Sequence, residues 1–555
     1  MTPRTDRDGP AGTGADAGAR SAVVAAAVAV AIAVVAALAA AAIRLRLLGV
    51  PLERDEGEYA YAGRLMLDGV PPFESVYGMK LPGTHAAYAL AFALLGPQPA
   101  SARLLLVAVN LASTVLVFLL GRAWLGWVGA MGAASAFAFL SVQTAMLGPF
   151  GHATHFVVLP ALAGLLAQER ALRSGEPAAR DWTIAAGLLL GLAILMKQPG
   201  VVFLLFAVAR ALSSVRRRGA GAWRDAALLL ATAALPTALV LGWAAARGDF
   251  AHYAGWLFRY GAGYAKPLPL GEGLVWLRLG LGRIVREAPV LWALAAVGGL
   301  LAAAPRGVVP HRGRLLAFAA FSALGTAPGL TFRQHYFLLA VPAVAMFVGA
   351  ALSAADDFLR RRTSARTALA VVAATALAVG AQSLASQREI YFRMAPAQVS
   401  RALYGDDLFP ESPEIAAWLA ERTDPGDRIA VFGSEPQIPF LAGRRGATGH
   451  VYMYPLLEPQ PDARSMQEEM MREVAEARPA YVVSIRVPTS WLRRDDSDAR
   501  VLDEMAAFLR DAYEPCGVVV ADGDGGTRLL WEEDAARVRG GDGVMAVVLR
   551  RRPGL

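Results

Sequence analysis

Ser21 to Ile43 is an uncharged run rich in Ala and Val, bracketed by Arg20 and Arg44. Crossing the hydrocarbon of a bilayer takes about 20 apolar residues, so this run reads as a spanning helix. It looks like a signal-peptide core, but it is too long and lacks a convincing cleavage site. Further apolar runs lie near 101–121, 127–147, 154–169, 183–197, 199–212, 226–246, 288–304, 314–331, 336–353 and 367–386. The sequence therefore predicts a polytopic α-helical membrane protein of roughly eleven spans. Segment 82–96 is shorter, and by length alone it is either a twelfth span or a helix lying in the interface.

Composition agrees. The 555 residues are 55% hydrophobic and only 18% charged, with a mean hydropathy of +0.41. These values exclude a disordered or fibrous chain and a disulfide-stapled secreted domain. The lone Cys516 cannot form an internal disulfide. A pI of about 9.7 suggests nucleic acid, but the charge is divided. Residues 1–386 carry net +15 and residues 387–555 net −7, so a basic apolar part precedes an acidic, water-compatible one. The expected organisation is a tail over 1–20, a membrane domain over 21–386 with an active outer loop at 44–100, and a soluble domain over 387–555. No nucleic-acid partner is expected.

Arginine placement orients the spans. With 82–96 in the interface, one set of alternate loops holds Arg122; Arg170, Arg173 and Arg180; Arg216, Arg217, Arg218 and Arg224; Arg306, Arg312 and Arg314; and Arg360, Arg361, Arg362 and Arg366. That face, with the N-terminus, is predicted to be cytoplasmic in a cell membrane, and the C-terminal domain to lie outside. Were 82–96 a span, the rule would fail several times over. The same topology puts all three lysines (Lys80, Lys197, Lys266) outside, with six of the seven histidines: His85, His152, His155, His252, His335 and His450. Half the chain lies outside, so chance accounts for part of this pattern. A polar outward cavity accounts for it as well, because ionisable groups at membrane depth are costly and usually functional.

The segment after the first span reads Arg54-Asp55-Glu56-Gly57-Glu58-Tyr59-Ala60-Tyr61. Asp55-x-x-Glu58 is a serviceable capping box, with Gly69 as the helix stop. Three carboxylates within four residues at the outer end of a span also suit a general base or a cation ligand, since crowding raises proton affinity. Tyr77-Gly78-Met79-Lys80-Leu81-Pro82-Gly83 follows. Lys80 there either snorkels or meets a phosphate as a mobile point charge. Gly151-His152-Ala153-Thr154-His155, Met196-Lys197-Gln198-Pro199-Gly200 and Phe332-Arg333-Gln334-His335-Tyr336-Phe337 each sit at a predicted helix end. Any one alone is ordinary interface anchoring. Together they surround one outward pocket.

In order and spacing, Asp55-Glu56 with its Tyr59-Ala60 helix, Lys80 before Pro82, Lys197 at a span end, and Arg333 to Tyr336 with Pro342 beyond resemble the GT-C superfamily of integral-membrane glycosyltransferases. The resemblance runs over about 1–390. It is strongest to glycosyltransferase family 39, which includes the protein O-mannosyltransferases, and to the lipid A aminoarabinose transferases. It implies that Asp55 is the catalytic base or positions the acceptor, with Glu56 beside it. It implies that Lys80 holds the lipid phosphate, and less directly Lys197, Arg333 and Tyr336. Glu58, His152, His155 and His335 join them as expected substrate-binding residues. Many relatives carry a second acidic motif where this chain has His152-Ala-Thr-His155, which puts an acid-dependent metal site there in doubt. No metal is predicted and no cofactor assigned, with a divalent cation left open.

After Gln387, strands are predicted at 428–432, 480–485, 517–521, 528–531 and 544–549, and helices at 412–423, near 463–477 and near 498–512. Alternation of this kind suggests a small α/β domain. Gly433 to Gln437, after a strand, is where ligands often sit in such sheets, or a plain strand-to-helix turn. There is no GxGxxG, P-loop, CxxC or HExxH, which fits a lipid donor rather than a nucleotide. The combined expectation is a polyprenyl-phosphate-sugar-dependent hexosyl- or pentosyltransferase. It would act with inversion on a cell-envelope glycan, lipid or protein, among membrane lipids. A lipid or glycan transporter or flippase is the alternative, but no internal repeat is visible and the charges sit at span ends.

Overall fold

The computed structural model describes residues 13–305, 307–522, 526–538, 541 and 543–554, with side chains from residue 22. Residues 1–12 of the expected tail, and Arg306 of the arginine set, lie outside the described residues. The protein is mostly helical up to Ser386, and among the described residues one sheet follows.

Among the described residues, six helices are long and apolar enough to cross a membrane: Ala22–Arg46, Pro99–Leu140, Ala178–Met196, Ala220–Arg247, Val341–Arg360 and Ala365–Ser386. A seventh span results if Leu270–Glu287 and Pro289–Ala303, bent by 111° at Ala288, count as one. The eleven expected spans are not reached by length and composition. Two of them, 101–121 and 127–147, lie in Pro99–Leu140, which is two helices parted at Gly126, where φ is 80° and the chain turns back so that Gly121 packs on Ala130. Others are shorter than a bilayer crossing, such as Val201–Leu212 and Arg312–Leu324. Segment 82–96 forms Gly83–Leu95, a short apolar helix. Small residues let the long helices approach: a Cβ on Gly349 would collide with the Gly129 carbonyl.

Six strands form a mixed sheet: β1 (Arg428–Phe432), β2 (Arg445–Gly446), β3 (Tyr481–Ile485), β4 (Tyr513–Ala521), β5 (Thr527–Trp531) and β6 (Val544–Arg551), in the order β2-β1-β3-β6-β4-β5. β1 runs parallel to β2 and β3, and the other pairs are antiparallel. Alternation along the strands feeds two cores. Val482 packs with Met470, Val474, Val501 and Met505 from helices Ala463–Ala477 and Arg500–Ala512. Val483 packs with Ile415 and Leu419 of Ser412–Glu421 on the other face. The expected strands all appear. β2 was not foreseen, because two residues carry no periodic signal.

The sheet-bearing region sits against one end of the bundle. Phe440 stacks on Phe92 at 5.3 Å. The Tyr61 hydroxyl accepts from the Gly446 N–H at 2.7 Å, and the Tyr77 N–H donates to the Gly449 carbonyl at 2.8 Å. Arg54 donates to the Ser434 carbonyl at 2.7 Å and pairs with Asp407 and Glu435. The Ser434 turn is thus a docking element for the helix that follows the first span.

Candidate active site at the bundle end

Helix Arg54–Leu67 begins on Glu53, whose side chain accepts from the Glu56 N–H at 2.7 Å. The cap is therefore Glu53, not the expected Asp55. That leaves Asp55 and Glu58, one turn apart, on one face of the helix. Both carboxylates meet the Lys80 ammonium: Asp55 Oδ1 lies 2.9 Å from Nζ, and Glu58 Oε2 is also in contact with it. Lys80 is brought here by a close approach. Gly83, three residues on, abuts the Leu195 carbonyl, where any Cβ would clash.

The Tyr452 hydroxyl reaches the same two oxygens, at 3.0 Å from Asp55 Oδ1 and 2.8 Å from Glu58 Oε2. Lys80 Nζ lies 4.7 Å from the Tyr59 ring centre and 5.1 Å from that of Tyr452, within cation–π range. His152 Nδ1 stands 3.8 Å from both Glu53 Oε1 and Asp55 Oδ2. Its ring stacks on His335 at 4.6 Å, and His335 Nε2 lies 3.0 Å from Lys197 Nζ. Lys197 in turn sits 4.6 Å over the Tyr336 ring.

Asp55, Glu58, Lys80, His152, Lys197, His335 and Tyr336 thus form one cluster at the sheet-bearing end of the bundle. Arg333 is exposed, with its guanidinium hydrogen-bonded to Tyr264. Two expected residues stand apart. Glu56 is fully buried, takes two hydrogen bonds from Arg103 and accepts from the Gly151 N–H at 2.7 Å. Its oxygens are committed to holding the loop together. His155 is buried and bonded to the Gly148 backbone. Sequence reasoning missed Glu53 and Tyr452. Glu53 precedes the acidic run by two residues and was legible as a neighbour of it. No local signal marks Tyr452.

The electrostatics revise the expectation that crowding raises the proton affinity of these carboxylates. Burial would raise Asp55, but Lys80, His152, His335 and Lys197 outweigh it and hold its carboxyl well below the usual range. Burial is likewise overcome at Glu58, which Lys80 and His85 hold low. The raised carboxyl is Glu53. Burial pushes it up to about 7, with His152 opposing and the charges of Asp55 and Glu56 adding to it. The site is therefore an ionised carboxylate pair bridged by an ammonium, with further cationic side chains beside it.

Among the described residues, Asp55, His152 and His335 bring three ligand atoms within 4.8 Å of one another. Imidazole and carboxylate suit a divalent transition metal. Lys80 and Lys197 already contact Asp55 and His335, so a cation entering there would have to displace them.

Residues 80–243 match the family described as dolichyl-phosphate-mannose-protein mannosyltransferase. No curated protein matches the chain in sequence. Among solved structures, the fold is similar to ArnT from Cupriavidus metallidurans bound to undecaprenyl phosphate. That match has 16% identity and a TM-score of 0.57, over 95% of this chain and 98% of that one. It is also similar to the oligosaccharyltransferase AglB from Archaeoglobus fulgidus, solved with an inhibitory peptide and a dolichol-phosphate. There the identity is 14% and the TM-score 0.50, over 92% of this chain and 75% of that one. A helical bundle of this plan, with its acidic first loop facing a small sheet, has the GT-C fold and resembles the family 39 and aminoarabinose membrane glycosyltransferases.

Proposed function

We propose that the protein is a membrane glycosyltransferase that moves a hexose or pentose from a polyprenyl-phosphate donor to a hydroxyl of a cell-envelope acceptor, on the outer face of the cytoplasmic membrane. One observation carries the reading: Asp55 has Oδ1 held by Lys80 and Tyr452, while among the described residues only His152 faces Oδ2. Oδ2 stands 3.8 Å from His152 Nδ1, longer than an ordinary hydrogen bond, which leaves it room to accept from an incoming hydroxyl. The likeness of the fold to structures solved with undecaprenyl phosphate and dolichol-phosphate supports a lipid-linked donor.

The acceptor O–H donates to Asp55 Oδ2 as its oxygen attacks the anomeric carbon. The new O–C bond forms while the bond from that carbon to the phosphate oxygen breaks. The electron pair leaves with the polyprenyl phosphate, and a single displacement inverts the anomeric centre. Lys80, Lys197 and Arg333 supply positive charge where the phosphate oxygen becomes an anion. A carboxylate held low by an ammonium is a weak base. As Lys80 swings toward the leaving phosphate, Asp55 loses its main counter-charge and its proton affinity rises when the proton arrives.

The test is purified protein in lipid nanodiscs with radiolabelled polyprenyl-phosphate hexoses and pentoses, and envelope extract from cells lacking the protein. Label should move into the extract, and lipid-linked sugar should accumulate in the deletion strain. Lack of transfer from every donor, with no accumulation, would reject the reading.

A further inference from the structure

We propose that Tyr452, from the sheet-bearing C-terminal region, is a positioning residue of the transfer site that keeps Asp55 and Glu58 aimed when Lys80 turns to the phosphate. The proposal rests on the reading above and adds a working part that no first-loop residue supplies.

The geometry is a closed ring of four groups. Lys80 Nζ and the Tyr452 hydroxyl both contact Asp55 Oδ1 and Glu58 Oε2. Lys80 serves the two oxygens with separate N–H groups, and the Tyr452 hydroxyl, with its single proton, is shared between them. Remove the ammonium and two carboxylates one helical turn apart repel each other. The phenol is the bridge that remains. Burial, with the charges of Glu58 and Asp55, holds its proton well past the ordinary phenol range, so the hydroxyl keeps its proton to donate to the carboxylates, and it accepts from Lys80 Nζ at 3.4 Å.

The hydroxyl is placed from both sides of the seam. Met453, its chain neighbour, donates its N–H to Ser434 Oγ at 2.9 Å, and Ser434 Oγ donates to the Ser490 carbonyl at 2.6 Å. Three residues earlier, the Gly449 carbonyl takes the Tyr77 N–H. Tyr454 lies parallel to Tyr452 with ring centres 5.6 Å apart. A tyrosine needed only for packing would not require its oxygen over two carboxylates. The deletion of that one oxygen is therefore the informative change.

Tyr452→Phe keeps the ring, its cation–π contact with Lys80 and the stack on Tyr454. Turnover should fall about 10- to 100-fold, the range for losing one hydrogen bond to a charged group, while KM for the lipid donor stays within about threefold. Tyr454→Phe, whose hydroxyl donates to the Thr489 carbonyl away from the carboxylates, should leave turnover unchanged. Tyr452→4-aminophenylalanine restores a donor at the same place and should recover most of the rate. In the Glu58→Gln background, Tyr452→Phe should cost less than it does alone, because the two share one network. Wild-type transfer with an equally active Tyr452→Phe overturns the proposal. So does a Phe variant whose loss follows its unfolding midpoint and is not recovered by 4-aminophenylalanine. Wild-type protein inactive toward every donor rejects the transferase reading itself.

Discussion

Arg103 crosses 47 positions of chain to meet Glu56 with two hydrogen bonds, Nε to Oε1 at 3.0 Å and Nη2 to Oε2 at 2.6 Å. The same guanidinium donates to the carbonyls of Leu47 and Leu48 at 3.2 Å each. It therefore ties the end of the first span to the loop that carries Asp55. Breaking a buried pair of this kind by removing one partner costs about 3–5 kcal/mol, because a charge is left buried and alone. Arg103→Leu should lower the thermal unfolding midpoint in detergent sharply, and adding Glu56→Leu should recover part of the loss. A double variant less stable than Arg103→Leu alone would show that the pair is not the source of the effect.

Asp55→Asn should abolish transfer and leave the fold intact. Glu53, not Asp55, caps the helix, so the exchange removes no cap. Loss of a general base costs about 10²–10⁴-fold in rate. The check is label transfer at matched unfolding midpoints. A variant within a few-fold of wild type would remove Asp55 from the chemistry.

Lys80→Met should damage two properties that can be separated. It strands Glu58, whose side chain is only 3% exposed, beside Asp55, so stability falls. It also removes a cation for the donor phosphate, so binding of labelled polyprenyl-phosphate sugar falls. Lys80→Met combined with Glu58→Gln should recover the unfolding midpoint and not the donor binding. Donor binding that returns with stability would assign Lys80 to the structure alone.

Cys516 is buried, and burial pushes its thiol up to about 12. It should resist maleimide in the folded protein and react only on unfolding. Its silence provides a clean background for orientation. Arg493→Cys, on the exposed surface of the sheet-bearing region, should label with a membrane-impermeant maleimide on intact cells. Labelling only after permeabilisation would invert the proposed topology.

The helical bundle and the alternating strands were legible because each carries a local period. Lys80, Lys197 and His335 were legible as polar residues at the ends of apolar runs. The roles of Glu56 and Asp55 could not be separated in the sequence. They are adjacent acids, and only the fold turns one toward Arg103 and the other toward Lys80. Tyr452 was invisible for the opposite reason: its significance lies entirely in contacts made nearly four hundred positions away. The break at Gly126 falls between two runs the sequence separates, while several other runs form helices too short to count as crossings by length, so the number of spans is not fixed by the helices alone.

The carboxylates of residues 55 and 58, the ammoniums of 80 and 197, the imidazoles of 152 and 335 and the phenol of 452 come from widely spaced stretches of chain. Contacts of such long sequence separation form late and slowly. During synthesis, the helices can enter the bilayer well before the 446–454 stretch has left the ribosome. Until that stretch docks, Asp55 and Glu58 lack the Tyr452 hydroxyl, while Lys80, His152 and His85 already face them. The carboxylate pair therefore gains its last hydrogen-bond donor only when the C-terminal region docks, and the proposed transfer site is complete only then.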